Sequence, residues 1–261
     1  MNKPHRLPFS RVVSDVRSER LLKKQPSYRT YWWQFAHKGT AWKAATANLD
    51  EVLVIALVSK TVMPIRVSAG QVFSHKLAVF ATDRFTDQAV LSSDIHWLWA
   101  VVYSSTLETR VNYSPSDAYV TFPRPEPTSA LEIIGRTLDT ERREIMLRRD
   151  LGLTKLYNLV NDPGLEAGTD PDVDRMRTIH VDLDAAVAAA YGWNDLDLTH
   201  GFHTYRKMTR WTLSPATRVE ILDRLLEENH RRAAAEAASL PAKKTRGKRR
   251  TQHSQEETLD V

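Results

Sequence analysis

Two segments rich in β-branched residues dominate the first half of the chain, at residues 51–68 and 71–82. Such side chains favour pleated strands, and Ala69-Gly70 between the two segments favours a turn. Pro64 has no amide hydrogen for a strand ladder, so it predicts a sheet edge or a break within the first segment. The pattern therefore predicts a pair of strands.

A helix is predicted next, because apolar residues recur at the i, i+3, i+4, i+7 spacing of one helical face. Ser92 and Ser93 precede this pattern and are of a residue type that caps helix N-termini. The apolar face consists of Ile95, Leu98, Trp99 and Val102. With that face turned towards the core, we expect His96 and Trp97 at the boundary between core and solvent.

Helical patterns fill the second half of the chain. Ser129 and Glu132 form a capping-box signature at the start of a helix predicted to end near Gly152. Two further helices are predicted over about 172–191 and about 215–236. From about residue 237 onward no apolar periodicity remains, which is typical of a disordered tail. The whole pattern predicts an α+β fold, with a β-rich part to about 127 and a helical part after it.

A short strand-like stretch with polar residues at alternate positions follows the first predicted helix. Glu108, Arg110 and Asn112 would share one face, because successive strand side chains point to opposite faces. In the major groove of DNA, Glu accepts from cytosine N4, Arg donates to guanine O6 and N7, and Asn pairs with adenine N6 and N7. We call these three residues the 108–112 row. The alternative is a solvated face of an amphipathic strand. A turn at residues 114–117 and a second strand closing on the FPRP sequence at 122–125 are expected to follow.

Aromatic and cationic side chains elsewhere are candidates for further nucleic-acid contacts. Aromatic rings stack on bases, and Lys and Arg pair with phosphates. Buried aromatic packing and ordinary solvation are the alternative interpretations. The candidates for DNA-backbone or stacking contacts are Trp33, Lys38, Lys43, Lys60, Arg66, His75 and Lys76.

The positive charge of the chain is concentrated in its two flanks. Residues 1–30 hold eight Lys and Arg against two Asp and Glu, and residues 231–261 hold eight against four. The 21 basic and 26 acidic residues between them give the middle a net charge of −5, although the whole chain is at +5. Basic flanks bind phosphates without sequence preference, and they also occur as solubilising tails. Residues 1–27 are expected to form an extended or partly ordered basic arm.

Residue patterns for catalysis are missing from the sequence. It has no Gly-rich phosphate loop after a strand, no Asn/Asp-Pro-Pro-aromatic tetrad and no cysteine. His200 and His203 lie near Asp195 and Asp197, but their spacing matches no standard metal motif, so we expect neither catalytic nor metal-binding residues. No apolar run approaches the ~18 residues of a membrane span, and no secretion signal is apparent, so a cytoplasmic protein without membrane contact is expected. These features favour a binding protein.

The order of several segments resembles the C-terminal part of adenine-specific DNA methyltransferases of the type IIG/IIL restriction-modification group and related phage-defence methyltransferases. The resemblance spans roughly residues 28–232. Its segments are WWQFA at 32–36, the strand pair at 58–81, SSDIHWLWA at 92–100, RVNYSPSDAYVTFPRP at 110–125, LYNLVNDP at 156–163 and HVDLDAAVAAAYGWNDLDL at 180–198.

This resemblance implies a division into a basic arm at 1–27, a β-rich DNA target recognition domain at 28–127, a helical C-terminal domain at 128–236 and a basic disordered tail at 237–261. It implies that Glu108 and Arg110 read bases in the major groove of double-stranded DNA, with Asn112 next in the row. In the family, a catalytic domain that binds S-adenosylmethionine flips and methylates an adenine. We expect no cofactor in this chain and a methyltransferase domain or subunit as its partner.

The family's catalytic domain has no counterpart in this sequence. A split system, a truncated gene and an excised domain would each explain that difference, and in none of these cases do we expect the chain to be an active enzyme alone. The second hypothesis for function is a helical docking subunit, or a remnant of such a methyltransferase, without specific DNA binding of its own.

Overall fold

The structure is a computed structural model that describes residues 6–34, 39–107, 110–205 and 208–239. Its α+β fold, with small antiparallel sheets first and helices after them, confirms the predicted fold class. The helices are α1 (Arg6–Leu21), α2 (Pro26–Thr30), α3 (Thr40–Ala45), α4 (Phe85–Ser92), α5 (Asp94–Tyr103), α6 (Ser129–Arg148), α7 (Leu153–Val160), α8 (Pro171–Ala190) and α9 (Pro215–Ser239). The strands are β1 (Glu51–Ala56), β2 (Val58–Ser59), β3 (Ile65–Ser68), β4 (Leu77–Phe80), β5 (Ser105–Leu107), β6 (Arg110–Asn112), β7 (His200–Tyr205) and β8 (Met208–Leu213).

The basic N-terminal arm forms a helix at residues 6–21, so of the two predicted alternatives, extended or partly ordered, the extended one is wrong. Its proline at position 8 lies in the first turn of α1, where the missing amide hydrogen costs no helical bond. Lys23 and Glu19 form an ion pair of 2.9 Å across one turn at the end of the helix. Residues 8–34 nevertheless place no side chain fully in the core.

Strand β1 is the centre of the first sheet, whose order is β3-β1-β4 with antiparallel neighbours. Its residues Val52, Leu53, Val54 and Ile55 are all buried, because both faces of this strand are covered. Pro64 lies immediately before β3, which confirms the predicted break in the first apolar segment. Ala69 and Gly70 form a turn after β3, as predicted.

A second sheet of order β2-β6-β5 continues from the end of β1. The continuation runs through Leu57, whose N–H donates to Lys76 O at 2.9 Å and whose carbonyl accepts from Tyr113 N at 2.6 Å. After β6 the chain makes a single π-helical turn at Pro115–Tyr119, and no strand is formed between that turn and α6. The predicted second strand closing on FPRP is therefore wrong, because three prolines at 123, 125 and 127 interrupt any ladder there.

Helix α5 crosses the middle of the molecule. Ser93 caps it as predicted, since its hydroxyl accepts from His96 N at 3.1 Å. Eight of its ten residues are buried, because it packs against α4, α8, α9 and the π-helical turn. His96 and Trp97 are 0% and 1% exposed, so their prediction as boundary residues is wrong. A helix covered on all sides has no solvent-facing stripe.

The second half of the chain contains two elements that the apolar pattern did not predict, the short helix α7 and the hairpin β7–β8. Helix α6 is capped by Thr128, whose hydroxyl accepts from Leu131 N, and not by Ser129. Helices α8 and α9 agree with their predicted positions, although α9 extends to Ser239. The remainder of the predicted tail lies outside the described residues.

Buried residues from both sides of the predicted boundary at 127–128 form one hydrophobic cluster. Polar contacts also cross the boundary. Asp94 N donates to Asp184 Oδ1 at 2.8 Å, and Gln88 Nε2 donates to Asp139 Oδ1 at 2.8 Å. The β-rich and helical parts thus share a core. No helix among the described residues is both long and apolar enough to cross a membrane.

Candidate nucleic-acid interface

The exposed face of the second sheet carries the described members of the 108–112 row. Arg110 and Asn112 are exposed on either side of Val111, which is 1% exposed. The period-two alternation predicted for this strand is therefore present, while Glu108 lies outside the described residues. The structure places the two side chains together on one polar face, which is the arrangement that base reading requires.

Two neighbours of Asn112 complete this face. Ser105 is the cross-strand partner of Asn112, and its hydroxyl accepts from Asn112 Nδ2 at 3.0 Å. That bond uses one N–H of the amide and leaves its second N–H and its oxygen for other partners. On the other side, Val58 pairs with Asn112 and is 41% exposed. Neither neighbour was singled out from the sequence, because the strands that carry them are only two and three residues long.

The connection between β3 and β4, residues 69–76, runs the length of β1, because both strands are antiparallel to β1, and its last residue lies beside the base of the β5–β6 hairpin. The backbone bonds of Leu57 to Lys76 and Tyr113 join the two features. His75 and Lys76 are exposed there, as a DNA contact requires. Phe73 of the same connection meets the ring of Trp42 edge-on, with centroids 5.8 Å apart. That contact brings α3, with its exposed Lys43, against this connection.

Arg66 does not face solvent, which contradicts its prediction as a phosphate contact. It is 7% exposed, and its guanidinium donates to Asp83 O at 2.5 Å and to Gln88 Oε1 at 3.3 Å. The same group lies over the ring of Phe85, 4.0 Å from the centroid. On the edge strand β3, the alternation turns this residue inward, where it binds the start of α4.

The aromatic segment near the N-terminus is only partly packed. Trp33 is 49% exposed and meets Trp32 edge-on at 5.7 Å, and Tyr31 is 47% exposed. Arg17 of α1 lies 5.5 Å from the centroid of Trp32. These contacts attach α1 to the aromatic segment and leave the ring of Trp33 accessible. Lys38 lies outside the described residues.

Lys60 is exposed, and its backbone is held by a residue that is far away in sequence. Arg210 Nη1 of β8 donates to the carbonyl of Lys60. Arg210 itself is 5% exposed and lies over Trp97, 4.5 Å from the ring centroid. No pattern in the sequence predicts this contact, since 150 residues separate the two partners.

One group of potential metal ligands occurs among the described residues, formed by Asp94, Asp184 and His200 with their ligand atoms within 4.8 Å. His200 Nε2 lies 2.8 Å from Asp184 Oδ2, and its Nδ1 lies 2.7 Å from Leu198 O. Both ring nitrogens thus face oxygen acceptors, which is the geometry of a buried ion pair and not of a metal ligand. His203 lies three residues further along β7, on the opposite face of the strand.

The pKa values of this pair have clear physical causes. Burial, and then the neighbouring Asp94, raise the pKa of Asp184 to about 6. For His200, burial lowers the pKa, but the hydrogen bond and charge of Asp184 more than reverse this, so the pKa is raised. The hydrogen-bonded pair joins α8 to β7.

The hairpin face with Arg110 and Asn112, and the exposed His75 and Lys76 on the neighbouring connection, make a candidate nucleic-acid interface. Comparison with known families agrees: residues 5–126 match the family model described as "MmeI, target recognition domain". Residues 5–126, just under half of the chain, are therefore similar to this target recognition domain family, as the resemblance in the sequence indicated.

A solved structure of a longer protein has the same fold. The chain aligns with the type IIL restriction-modification enzyme MmeI, solved in complex with DNA, at a TM-score of 0.57 and 20% sequence identity. The alignment covers 87% of this chain and 27% of MmeI, so the chain spans about a quarter of that enzyme. A comparison with curated protein sequences gave no match.

Proposed function

We propose that this chain reads a DNA sequence through the major groove on behalf of an adenine-specific DNA methyltransferase of a restriction-modification system. The observation that carries the proposal is the alternation along β6, with Arg110 and Asn112 exposed on either side of the buried Val111. Arg110 matches the acceptors of guanine, and Asn112 matches the edge of adenine. Glu108 belongs to the same period and accepts from the cytosine paired with that guanine.

Phosphate contacts hold the protein in register in this proposal. Lys43, Lys60, His75 and Lys76 are exposed, and the first, third and fourth are connected through the Trp42–Phe73 contact. Contacts of this kind fix position on the duplex without carrying sequence information. Trp33, with its accessible ring, is assigned a stacking or docking contact.

The catalytic step belongs to a partner in this proposal. MmeI, of which the chain matches 27%, is a restriction-modification enzyme that was solved with DNA, and this supports both double-stranded DNA and the remainder of such an enzyme as partners. The partner methyltransferase domain or subunit supplies S-adenosylmethionine and the methyl transfer. Restriction-modification also implies a role in defence against phage and a cytoplasmic location.

A second candidate function is docking of that partner without sequence reading. It is favoured by the N-terminal helices, since residues 8–34 contain no buried side chain and Phe9, Tyr31 and Trp33 are each about half exposed. Apolar patches of this kind mark protein interaction sites. The two functions are compatible, and they differ in whether the chain discriminates between DNA sequences.

The test is a selection from random DNA duplexes with the full chain, followed by affinity measurements on the selected sequence. We expect the wild-type chain to enrich one sequence. Arg110→Ala and Asn112→Ala should each lose about 1–3 kcal/mol of discrimination at one base pair. Arg136→Ala is the matched control, because Arg136 is an exposed arginine on α6 that pairs with Glu132 one turn away.

The outcome separates the two candidates. Enrichment of one sequence that depends on Arg110 and Asn112, and not on Arg136, supports base reading. If the wild-type chain binds all duplexes alike, or if the two variants keep the wild-type preference at every position, the base-reading proposal fails and the docking function remains.

A further inference from the structure

A cationic pocket of about 290 Å³ opens between the segment after β2, helix α7 and strand β8. Lys60 and Arg210 line it together with neutral hydrogen-bonding residues, namely Thr61, Tyr157, Asn158, Asn161 and Thr209. None of its described lining residues is acidic. By comparison, the larger groove beside the FPRP segment, of about 620 Å³, is lined by Asp87, Glu126 and Glu236 as well as by arginines. We call the smaller one the Lys60–Arg210 pocket.

The charge in this pocket is incompletely compensated by the protein. Arg210 is 5% exposed, yet its Nε is buried without a hydrogen-bond partner. Burial lowers the pKa of Arg210, and Asp94 acts in the opposite direction without reversing that effect. Neither Lys60 nor Arg210 forms an ion pair with a carboxylate among the described residues, and a bound anion in the pocket would balance their charge.

The pocket lies beside the base-reading face. Lys60 directly follows Ser59, the last residue of β2. Ser59 pairs with Val111, which separates Arg110 from Asn112 on β6. A duplex that places base edges against Arg110 and Asn112 therefore brings its backbone close to Lys60.

We propose that the Lys60–Arg210 pocket binds a phosphate group of the DNA backbone. This inference rests on the proposed function for its source of phosphate. Lys60 and Arg210 supply the positive charge, and Asn158, Thr61 and Thr209 supply neutral donors to the phosphate oxygens. Amide, hydroxyl and cationic groups of this kind make most phosphate contacts in protein–DNA complexes.

The Lys60–Arg210 pocket includes residues from both the β-rich and the helical part of the chain. Asn158, Thr209 and Arg210 lie beyond residue 126, outside the part that matches the target recognition domain family. The helical part thus contributes half of a DNA site, and it does more than support the sheets. The contact of Arg210 with the Lys60 carbonyl is what joins the two halves of the pocket.

The test combines a protein change with a change of one backbone phosphate. The full chain, Lys60→Gln and Asn158→Asp are measured against duplexes in which a neutral methylphosphonate replaces each phosphate in turn. We expect one position at which the methylphosphonate weakens wild-type binding but does not weaken binding by Lys60→Gln any further. The salt dependence, plotted as log affinity against log salt, should become shallower by about 0.9 for Lys60→Gln.

Lys155→Gln is the matched control, because Lys155 is an exposed lysine of α7 that does not line the pocket. It should show no coupling to that backbone position. Asn158→Asp should weaken binding to the unmodified duplex, because the added carboxylate repels the phosphate. On the duplex with the methylphosphonate at that position, the variant should bind as tightly as the wild type, because the phosphate charge is absent.

Free phosphate is the other source of the same chemistry, and thermal unfolding in inorganic phosphate tests it. If phosphate raises the Tm of the wild type but not of Lys60→Gln, and no backbone position couples to Lys60, the pocket binds a free anion and the inference is overturned. Absence of coupling at every position overturns it as well. Both of these outcomes concern the pocket alone and do not depend on sequence preference. Failure of the base-reading proposal would be seen instead in the Arg110 and Asn112 variants.

Discussion

Arginine side chains in this protein show that residue type alone does not distinguish a DNA contact from a structural one. Arg66 and Arg110 both lie on short strands near the proposed interface. Arg110 is exposed on β6, whereas Arg66 is buried and binds Asp83 O and Gln88 Oε1. The distinction depends on which face of the strand meets the core. For Arg66 the buried face is the one that packs against α4. The two elements are separated in sequence, since Arg66 and its partner Gln88 lie 22 residues apart, so this contact exists only in the folded protein.

The burial of Arg66 leads to a first prediction. Arg66→Met removes a donor from the buried Gln88 Oε1 and another from the part-buried Asp83 O, and it removes the guanidinium from the ring of Phe85. An unsatisfied buried acceptor alone costs about 1–3 kcal/mol. We expect a loss of at least about 2 kcal/mol in the free energy of unfolding, measured with denaturant. DNA affinity of the folded variant should be unchanged at a temperature below its transition.

Lys76→Gln is the matched comparison and should give the opposite pattern, since Lys76 is exposed. Its stability should be that of the wild type, and its DNA affinity should be lower at low salt. If Arg66→Met is as stable as the wild type but binds DNA less tightly, the structural role assigned to Arg66 is wrong.

His96 gives a second prediction at the residue scale. Burial lowers its pKa to about 4, and its ring nitrogens lie 3.0 Å from Leu91 O and 3.2 Å from Tyr113 Oη. The folded pKa lies below the unfolded value, so the unfolded chain binds the proton first as the pH falls. The contribution of His96 to stability is therefore present above about pH 6.5 and is lost as the pH falls towards 4, by roughly 3 kcal/mol.

Denaturant unfolding between pH 7 and pH 4 measures this contribution. The stability of His96→Gln should fall less steeply with decreasing pH than that of the wild type, because glutamine keeps a donor and an acceptor but does not titrate. Equal pH dependence of the two proteins would show that the pKa of His96 is the same in the folded and the unfolded chain.

At the scale of elements, α6 and α4 meet at a point where only glycine fits. A Cβ built on Gly135 of α6 would lie 2.1 Å from the backbone oxygen of Phe85 at the start of α4. Alanine in a helix interior normally gains about 1 kcal/mol over glycine. The overlap with a backbone atom is expected to outweigh that gain, because backbone cannot move aside as a flexible side chain can.

Gly135→Ala should therefore lower the free energy of unfolding by at least about 2 kcal/mol. Gly152→Ala is the control, because nothing lies within 4 Å of a Cβ at Gly152 and its φ of −79° is ordinary. That variant should change stability by less than about 1 kcal/mol. A stabilised Gly135→Ala protein would contradict the close packing of α4 on α6.

Elements with a strong local signal were predicted from the sequence, and elements decided by distant contacts were not. The cap at Ser93 and the break at Pro64 follow from chemistry within a few residues, and both are confirmed. The hairpin β7–β8 has aromatic and Thr residues typical of strands, but its connecting residues Arg206 and Lys207 lack the Gly or Asn that marks tight hairpin turns. The π-helical turn at Pro115–Tyr119 also has no simple period in the sequence.

At the scale of the whole molecule, the proposed DNA site draws residues from both sides of the predicted boundary at 127–128. The period-two pattern predicted that Arg110 and Asn112 share a face, and the structure agrees. The same pattern did not predict Arg210. That residue lies beside Lys60 only because the two halves of the chain share a core, and 150 residues separate the two residues in sequence. The predicted boundary at 127–128 therefore marks a change of secondary structure within one packed body.

The central claim is that the 108–112 row reads bases, and an exchange of its charged members tests it most directly. The double variant Glu108→Arg and Arg110→Glu is joined to its methyltransferase, and the methylated sites are sequenced beside those of the wild type. We expect the preferred base to change at one position, from one orientation of a C·G pair to the other, and all other positions to keep their preference. An unchanged preference at every position in an active double variant would contradict this claim.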